Sequence, residues 1–187
     1  MKLITGLGNP GEKYSNTRHN VGFLFLDSLR EIFLYQKDIS ATEWNKEKIF
    51  SSELAFLKEG SRIVATMQKP STYMNRSGEA VAKLIRKYEI VDLADNFILV
   101  HDDLDIPLGK FKIQRGKSPL GHNGVNSVEE RIGIVDFKRV RIGVEARENR
   151  NIPGEDYVLT RFSKEEKEII DEVIQEAIKG VLADILI

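Results

Sequence analysis

The chain of 187 residues contains no cysteine. This absence excludes disulfide bonds, thiolate metal sites and a cysteine nucleophile. The sequence also has no apolar run long enough to cross a membrane, and its start lacks the basic segment and apolar core of a signal peptide. We therefore expect no membrane association and a cytoplasmic protein.

The composition is that of an ordinary globular protein, with 41% hydrophobic and 30% charged residues. The length suits one domain that buries its own core. Because the sequence has no internal repeat, low-complexity segment or linker, we predict a single domain over residues 1–187.

Charge is distributed unevenly, although the net charge is only −1. Residues 107–128 contain no acidic side chain, and residues 138–141 (KRVR) form a second basic cluster. Either cluster alone is best explained as a solvated strand face. Together they indicate a local anionic ligand, with phosphates as the first candidate.

Apolar periodicity predicts strands that alternate with helices. Residues 163–166 (SKEE) predict a capping box at the start of the last helix. Predicted strands cover residues 2–7, 49–58, 62–68, 96–100, 108–114 and 139–144; predicted helices cover 20–34 and begin near 75, 123 and 163; segments 36–48, 69–72 and 145–156 are predicted loops. This order indicates an α/β fold with three layers, α/β/α, around a mixed, partly parallel sheet.

Residues 6–11 (GLGNPG) match the dinucleotide fingerprint G-x-G-x-x-G literally. That fingerprint requires the glycines to open a helix directly, so that a pyrophosphate binds at its N-terminus. Here Pro10 and residues 14–17 intervene, and no second strand ending in an acidic residue follows at the right distance. We interpret the glycines as a turn after the first strand.

The chain has three histidines, and each lies beside a break between predicted elements. Imidazole is the side chain best suited to take a proton at neutral pH, so His19 is a candidate general base. His101 and Asp102 are neighbours at the end of a predicted strand, and if the extended backbone continues there they point to opposite faces, so only one can reach a shared site. Asp102 could hold an N–H of His19, although a solvated histidine and a turn-capping aspartate are the alternative.

No nucleophile is evident, since the sequence has neither cysteine nor a G-x-S-x-G elbow. This favours direct activation of water by histidine. A metal hydrolase is an alternative, but no H-E-x-x-H or similar spacing supports it. Its candidate ligands are His19, His101, Asp102 and His122.

Asn75 and Asn123 both precede predicted helices. Asparagine is a favoured N-cap, so a structural role is as plausible as a functional one. In the functional interpretation, the two amides donate hydrogen bonds to a carbonyl or to a developing oxyanion.

Five motifs lie in order along almost the whole chain. They cover residues 6–11 (GLGNPG) with Tyr14 and 17–22 (TRHNVG), 70–78 (PSTYMNRSG), 101–109 (HDDLDIPLG), 121–124 (GHNG) and 139–143 (RVRIG). This set resembles the signature of the bacterial peptidyl-tRNA hydrolase family, and each motif is far more specific than the glycine pattern alone.

The resemblance implies a monomeric esterase that needs no cofactor and no metal. The family cleaves the ester between a peptide and the terminal ribose of tRNA, which recycles tRNA from stalled translation. By motif, His19 is the catalytic base and Asp102 its orienting partner.

The resemblance also implies which residues bind the two halves of the substrate. Three asparagines position the substrate and water, and further side chains contact the peptide; these residues are Asn9, Asn75, Asn123, Tyr14, Tyr73 and Met74. Phosphates near the tRNA acceptor end would be contacted by Lys110, Lys112 and Arg141, which agrees with the basic clusters. Such contacts should weaken with salt.

Two positions depart from the family pattern. Residues 115–120 (RGKSPL) replace a glycine-rich run, and Pro119 restricts the backbone there. Asn126 stands where a lysine is common. The family also includes non-catalytic RNA-binding relatives, splicing factors that keep the fold, and this alternative is opposed by the intact set of His19, Asp102 and the three asparagines.

Overall fold

The computed structural model describes residues 1–116, 121–148 and 151–186. Strands and helices are interspersed along this part of the chain. They are β1 (Lys2–Gly6), α1 (Val21–Phe33), β2 (Ser40–Ala41), β3 (Asn45–Glu47), β4 (Ser52–Glu59), β5 (Arg62–Pro70), α2 (Ser77–Lys87), α3 (Leu93–Asn96), β6 (Phe97–Pro107), β7 (Phe111–Arg115), α4 (Asn123–Ile132), β8 (Lys138–Glu145), α5 (Gly154–Tyr157) and α6 (Lys164–Leu186).

The strands form one mixed sheet in the order β2-β4-β5-β1-β6-β8-β7, with β3 also paired to β4. The four central strands β5, β1, β6 and β8 are parallel, whereas β4 and β7 run antiparallel to their neighbours. The carboxyl ends of the parallel strands therefore meet at one edge of the sheet, where α/β proteins commonly bind ligands.

Helices cover both faces of the sheet, which confirms the predicted three layers. Alternate strand residues such as Ile4 and Val140 pack with α1 and α6 in one apolar cluster. Residues such as Leu3 and Leu99 face the other way and pack with α2 and α4 in a second cluster. No helix in the described part of the chain has both the length and the apolar character of a membrane span.

The strand predicted to end at residue 100 continues as β6 to Pro107. The polar residues after residue 100 remain in the sheet because they form hydrogen bonds or ion pairs with other residues inside the protein. Register with β8 is kept through Asp103, which lies opposite Gly143. Arg141 on β8 donates from Nε to Asp103 Oδ2 at 2.5 Å, and this internal ion pair is what the apolar pattern could not reveal.

Three segments predicted as loops are partly regular structure. Segment 36–48 includes β2 and β3, which pair with β4. They are too exposed for their sequence to show an alternation of apolar and polar residues. The loop predicted at 69–72 begins later, since β5 runs to Pro70, and segment 145–156 includes the start of α5. The capping box is present: Ser163 N donates to Glu166 at 2.8 Å and Glu166 N to Ser163 Oγ at 3.2 Å.

Candidate active site

His19 lies in the short 3-10 turn Arg18–Asn20, directly before α1, and meets Asp102 of β6. Its Nδ1 is 2.9 Å from Asp102 Oδ1 and 3.0 Å from Oδ2. Since a carboxylate accepts, Nδ1 carries the proton and the lone pair of Nε2 is left available. The His19 side chain is 12% exposed and borders a cavity.

Close backbone packing sets the position of this turn. Gly22, in the first turn of α1, lies so near β1 and β6 that a Cβ would be 2.5 Å from Leu7 N and 2.6 Å from Val100 O. A Cβ on Gly6 would be 2.2 Å from Gly22 O. Only glycine permits this approach, which brings the start of α1 over the end of β6.

A second imidazole, that of His122, shares the same carboxylate. Its Nε2 is 2.9 Å from Asp102 Oδ1, while its Nδ1 accepts from Gly124 N at 3.1 Å and Val125 N at 3.3 Å. Nδ1 is therefore unprotonated and Nε2–H donates to Asp102. His122 is thus the N-cap of α4 and a partner of the active-site carboxylate. From the sequence His122 was a candidate metal ligand only, although it directly precedes a predicted helix.

The charges of the site follow from burial and pairing. Burial alone raises the pKa of Asp102, but His19 and His122 outweigh it and hold that pKa well below its usual range. Burial lowers the pKa of His19, while the charge and hydrogen bond of Asp102 raise it, and the net result lies above the ordinary value of 6.5. The carboxylate is ionised and the His19 imidazole is made more basic.

His101 lies on the opposite side of β6, as the strand periodicity predicts. It is fully buried, and Nδ1 is 2.7 Å from the Asp102 backbone oxygen. Burial, with a smaller effect from His122, lowers its pKa to about 3, so its ring is neutral at ordinary pH.

The donor atoms of His19, Asp102 and His122 lie within 4.8 Å of one another, which is compatible with a metal ion. His101 is not part of this group. Both imidazoles direct an N–H at the one carboxylate, so a metal would have to replace two hydrogen bonds that already satisfy the set. In this arrangement the carboxylate is already hydrogen-bonded by both rings.

Asn9 connects the loop after β1 to the loop after β5. Its Oδ1 accepts from Met74 N at 2.9 Å, and the Asn20 side chain bonds both the backbone N and the backbone O of Asn9, each at 2.9 Å. With Oδ1 engaged, the amide donors of Asn9 are the part of its side chain left for a ligand in the cavity that it lines.

Asn75 and Asn123 are exposed and border the same cavity. Neither is an N-cap: Arg76 holds that position in α2, and His122 in α4. The N-cap alternative for the two asparagines is therefore wrong, and both residues border the cavity.

The cavity, of about 540 Å³, is bordered by six separate segments of the chain. Tyr73, 59% exposed, and Met74, 5% exposed, form part of one wall. Val158 and Leu159, which follow α5, form part of another. This wall could not be predicted from the sequence, because it lies beside a segment whose polar composition predicts only a loop.

The segment after α5 is fastened to the turn that carries His19. His19 N donates to Val158 O at 2.8 Å, and Arg18 donates to Thr160 Oγ1 and to Arg161 O, both at 2.8 Å. The Arg18 guanidinium also lies 4.2 Å from the centre of the Tyr157 ring. The cavity wall and the base therefore form one connected unit.

Tyr14 is half-buried and is not one of the described residues bordering the cavity. Its backbone oxygen accepts from Thr17 N at 3.0 Å and from Thr17 Oγ1 at 2.9 Å. Its observed place is thus in the turn that precedes His19.

The basic residues predicted to meet phosphates fall into two groups. Lys110 and Lys112 are exposed, at and just after the turn into β7. The prediction that Arg141 contacts a phosphate is wrong, because this residue is 4% exposed and its guanidinium forms an ion pair with Asp103. Arg139 is likewise buried, 2.6 Å from Glu129, so the 138–141 cluster is largely neutralised within the fold. Pro119 and its neighbours 117–120 lie outside the described residues.

Comparison with known proteins agrees with the geometry. A family profile described as peptidyl-tRNA hydrolase matches residues 3–186. The peptidyl-tRNA hydrolase of Thermodesulfovibrio yellowstonii is 39% identical over 186 residues, covering 97% of this chain and 91% of its own. That of Maridesulfovibrio salexigens is 40% identical over 182 residues, covering 96% and 84%.

Solved structures agree as well. A variant of the peptidyl-tRNA hydrolase of Acinetobacter baumannii superposes with a TM-score of 0.83 at 30% identity, covering 100% of this chain and 88% of its own. The unaltered Acinetobacter enzyme gives a TM-score of 0.80 at 27% identity, covering 100% and 92%. The family profile matches nearly the whole chain, and the two relatives above are 39% and 40% identical to it. The chain therefore belongs to the peptidyl-tRNA hydrolase family.

Proposed function

We propose that this chain cleaves the ester bond of peptidyl-tRNA with a water molecule activated by His19. The reaction class follows from membership of the family, whose members are hydrolases of this ester. The observation that supports the mechanism is the His19–Asp102 pair, 2.9 Å apart, at a cavity bordered by three asparagines.

In the proposed reaction, His19 Nε2 accepts a proton from water while the water oxygen attacks the ester carbonyl. Asp102 holds the opposite nitrogen and stabilises the imidazolium that forms. The tetrahedral intermediate then collapses, the ribose oxygen leaves, and His19 returns the proton to it. The products are a free peptide carboxylate and tRNA.

The three asparagines supply neutral donors and acceptors around the reacting group. Amides of Asn9, Asn75 and Asn123 can hold the ester carbonyl, the water or the peptide backbone, and they stabilise developing negative charge. Such contacts do not depend on peptide side chains, which suits a substrate of any sequence. Tyr73 and Met74 would line the peptide groove, and Tyr14 would act through the turn before His19.

Lys110 and Lys112 are the residues we propose to contact phosphates near the tRNA acceptor end. Both are exposed on the flank of the sheet edge that carries the site. The substrate also leads us to propose a cytoplasmic enzyme, working on translation products as a monomer with one domain over residues 1–187.

The test is hydrolysis of N-acetyl-aminoacyl-tRNA by the wild type and by His19→Ala, with tRNA binding measured in parallel. We expect a loss of kcat of about 10²–10⁴-fold, typical of removing a general base, with tRNA binding retained. A strong chelator should leave wild-type activity unchanged. Absence of turnover in the wild type, with binding intact, would assign the chain to RNA binding alone.

A further inference from the structure

A second cavity, of about 700 Å³, lies beside the active-site cavity and shares Asn9 with it. It is enclosed by α1, by the end of β5 and by the start of β4. Residues on its border include Phe23, Lys48, Glu53 and Ser71. None of these four borders the first cavity.

We propose that this second cavity binds the upstream part of the substrate, the peptide residues that precede the one esterified to tRNA. The inference rests on the proposed function and adds a site for the portion of the peptide that does not react.

The wall between the two cavities is held in place by hydrogen bonds. Asn20 uses both amide atoms on the backbone of Asn9, and Asn9 in turn holds Met74 N. This wall joins the loop after β1 to the loop after β5. A chain crossing it would pass from the reacting ester to the second cavity without leaving the same edge of the sheet.

The order of strands indicates the direction in which the peptide leaves. Along this edge the strands follow as β7, β8, β6, β1, β5 and β4. Lys110, the proposed phosphate contact, lies next to β7, and Asp102 lies on β6. An ester has its ribose on one side and its acyl chain on the other, so tRNA at the β7 flank directs the peptide toward β1, β5 and β4.

The charges around the second cavity favour a peptide over RNA. Four carboxylate residues and three lysines border it. The most buried of these lysines, Lys69, is 8% exposed, bonded to Asp27 and 4.3 Å from the centre of the Trp44 ring. The charge of Lys69 is therefore already paired and not available to a phosphate. The excess of carboxylates over lysines around the cavity would repel a polyanion. Hydroxyls such as those of the exposed Ser15 and Ser71, and charges of both signs, suit a polypeptide whose sequence varies.

The distance sets a minimum length for the peptide. Adjacent strands are about 4.8 Å apart, so β5 lies about 10 Å from β6 along the sheet edge. An extended chain covers that span with about three residues, at about 3.3 Å each. A substrate with one acylated amino acid cannot reach the second cavity, whereas a peptide of about five residues can.

The test measures KM and kcat for N-acetyl-aminoacyl-tRNA and for a peptidyl-tRNA of about five residues. Ser71→Trp places a large ring in the second cavity just after the end of β5, and Lys48→Trp does so from the short helical turn before β4. Ser61→Trp makes the same exchange just before β5, at the opposite sheet edge, and is the matched control.

For the longer substrate we expect both cavity variants to raise KM about tenfold, or about 1.4 kcal/mol of binding, with kcat unchanged. KM for the short substrate, and both values in Ser61→Trp, should stay at wild-type levels. An equal change for both substrates, or none for the longer one, would overturn the proposal. So would weaker binding of deacylated tRNA, which would place RNA in the cavity.

The two cavity variants lie on different elements, so the test survives if one of them does not fold. Failure of the proposed function would look different, because the wild type would then not hydrolyse even the short substrate.

Discussion

At the scale of single residues, one carboxylate organises the site. Asp102 accepts hydrogen bonds from two imidazoles, those of His19 and His122, each at 2.9 Å. The pairing with His19 was a hypothesis from the sequence: strand periodicity allows only one of His101 and Asp102 to reach a shared site, and the family resemblance implied Asp102. The pairing with His122 could not be predicted, because it depends on where α4 packs, which local sequence does not encode.

This carboxylate should govern how activity depends on pH. Only neutral His19 can accept a proton from water, so kcat/KM should rise with pH through a midpoint above 6.5, the ordinary histidine value. In Asp102→Asn the attraction is lost and burial dominates, so the midpoint should move to lower pH. We also expect kcat to fall by about 10²–10⁴-fold, because the ring loses its orienting acceptor.

The measurement is the pH profile of kcat/KM for N-acetyl-aminoacyl-tRNA in the wild type and in Asp102→Asn. Asp105→Asn, which alters an exposed carboxylate at the same cavity, is the control and should keep the wild-type midpoint. A midpoint that does not move in Asp102→Asn would remove Asp102 as the source of the raised pKa.

At the scale of elements, the start of α1 depends on contact between backbones. Gly22 packs against Leu7 and Val100 with no room for a Cβ. Gly22→Ala should therefore displace the helix and with it His19. We expect a loss of about 1–3 kcal/mol in stability, typical of overpacking, together with reduced kcat.

Denaturant unfolding and steady-state kinetics test this expectation. Ser28→Ala, on the same helix but away from β1, is the control and should leave both quantities nearly unchanged. Wild-type kcat in a destabilised Gly22→Ala protein would show that the position of His19 does not depend on this packing.

Elements with their own local signals were predicted well, and those that depend on distant partners were not. The capping box and apolar stripe of α6 lie within one segment, so the sequence alone indicates them. β2 and β3 are exposed and exist only through pairing with β4. The polar end of β6 stays in the sheet because Arg141 neutralises Asp103, a partner far along the chain.

At the scale of the whole molecule, our proposals place RNA on the β7 flank of the site and the peptide on the β5 flank. The net charge of −1 gives no general attraction to RNA, so binding must depend on a few local cations. The sequence suggests more cations available to RNA than the structure offers, since Arg139 and Arg141 are buried in ion pairs. Which cations remain free is decided by the packing of α4 and β6 rather than by composition.

Salt should therefore raise KM for peptidyl-tRNA while leaving kcat nearly constant. Each phosphate contact contributes about one unit to the slope of log KM against log salt, so Lys112→Ala should reduce that slope by about one. Lys37→Ala, exposed just beyond the far end of α1, should keep the wild-type slope. An unchanged slope in Lys112→Ala would place the phosphates elsewhere.

The cap of α4 also bears on the chemical lifetime of the enzyme. Asparagine ages by deamidation when the nitrogen of the next residue attacks its side chain, and a following glycine leaves this attack unhindered. Asn9 is protected because Pro10 has no N–H to lose. Asn123 is followed by Gly124, whose N–H is held by His122 Nδ1 at 3.1 Å. His122→Ala should therefore convert Asn123 to aspartate faster on storage, which peptide mass spectrometry would detect.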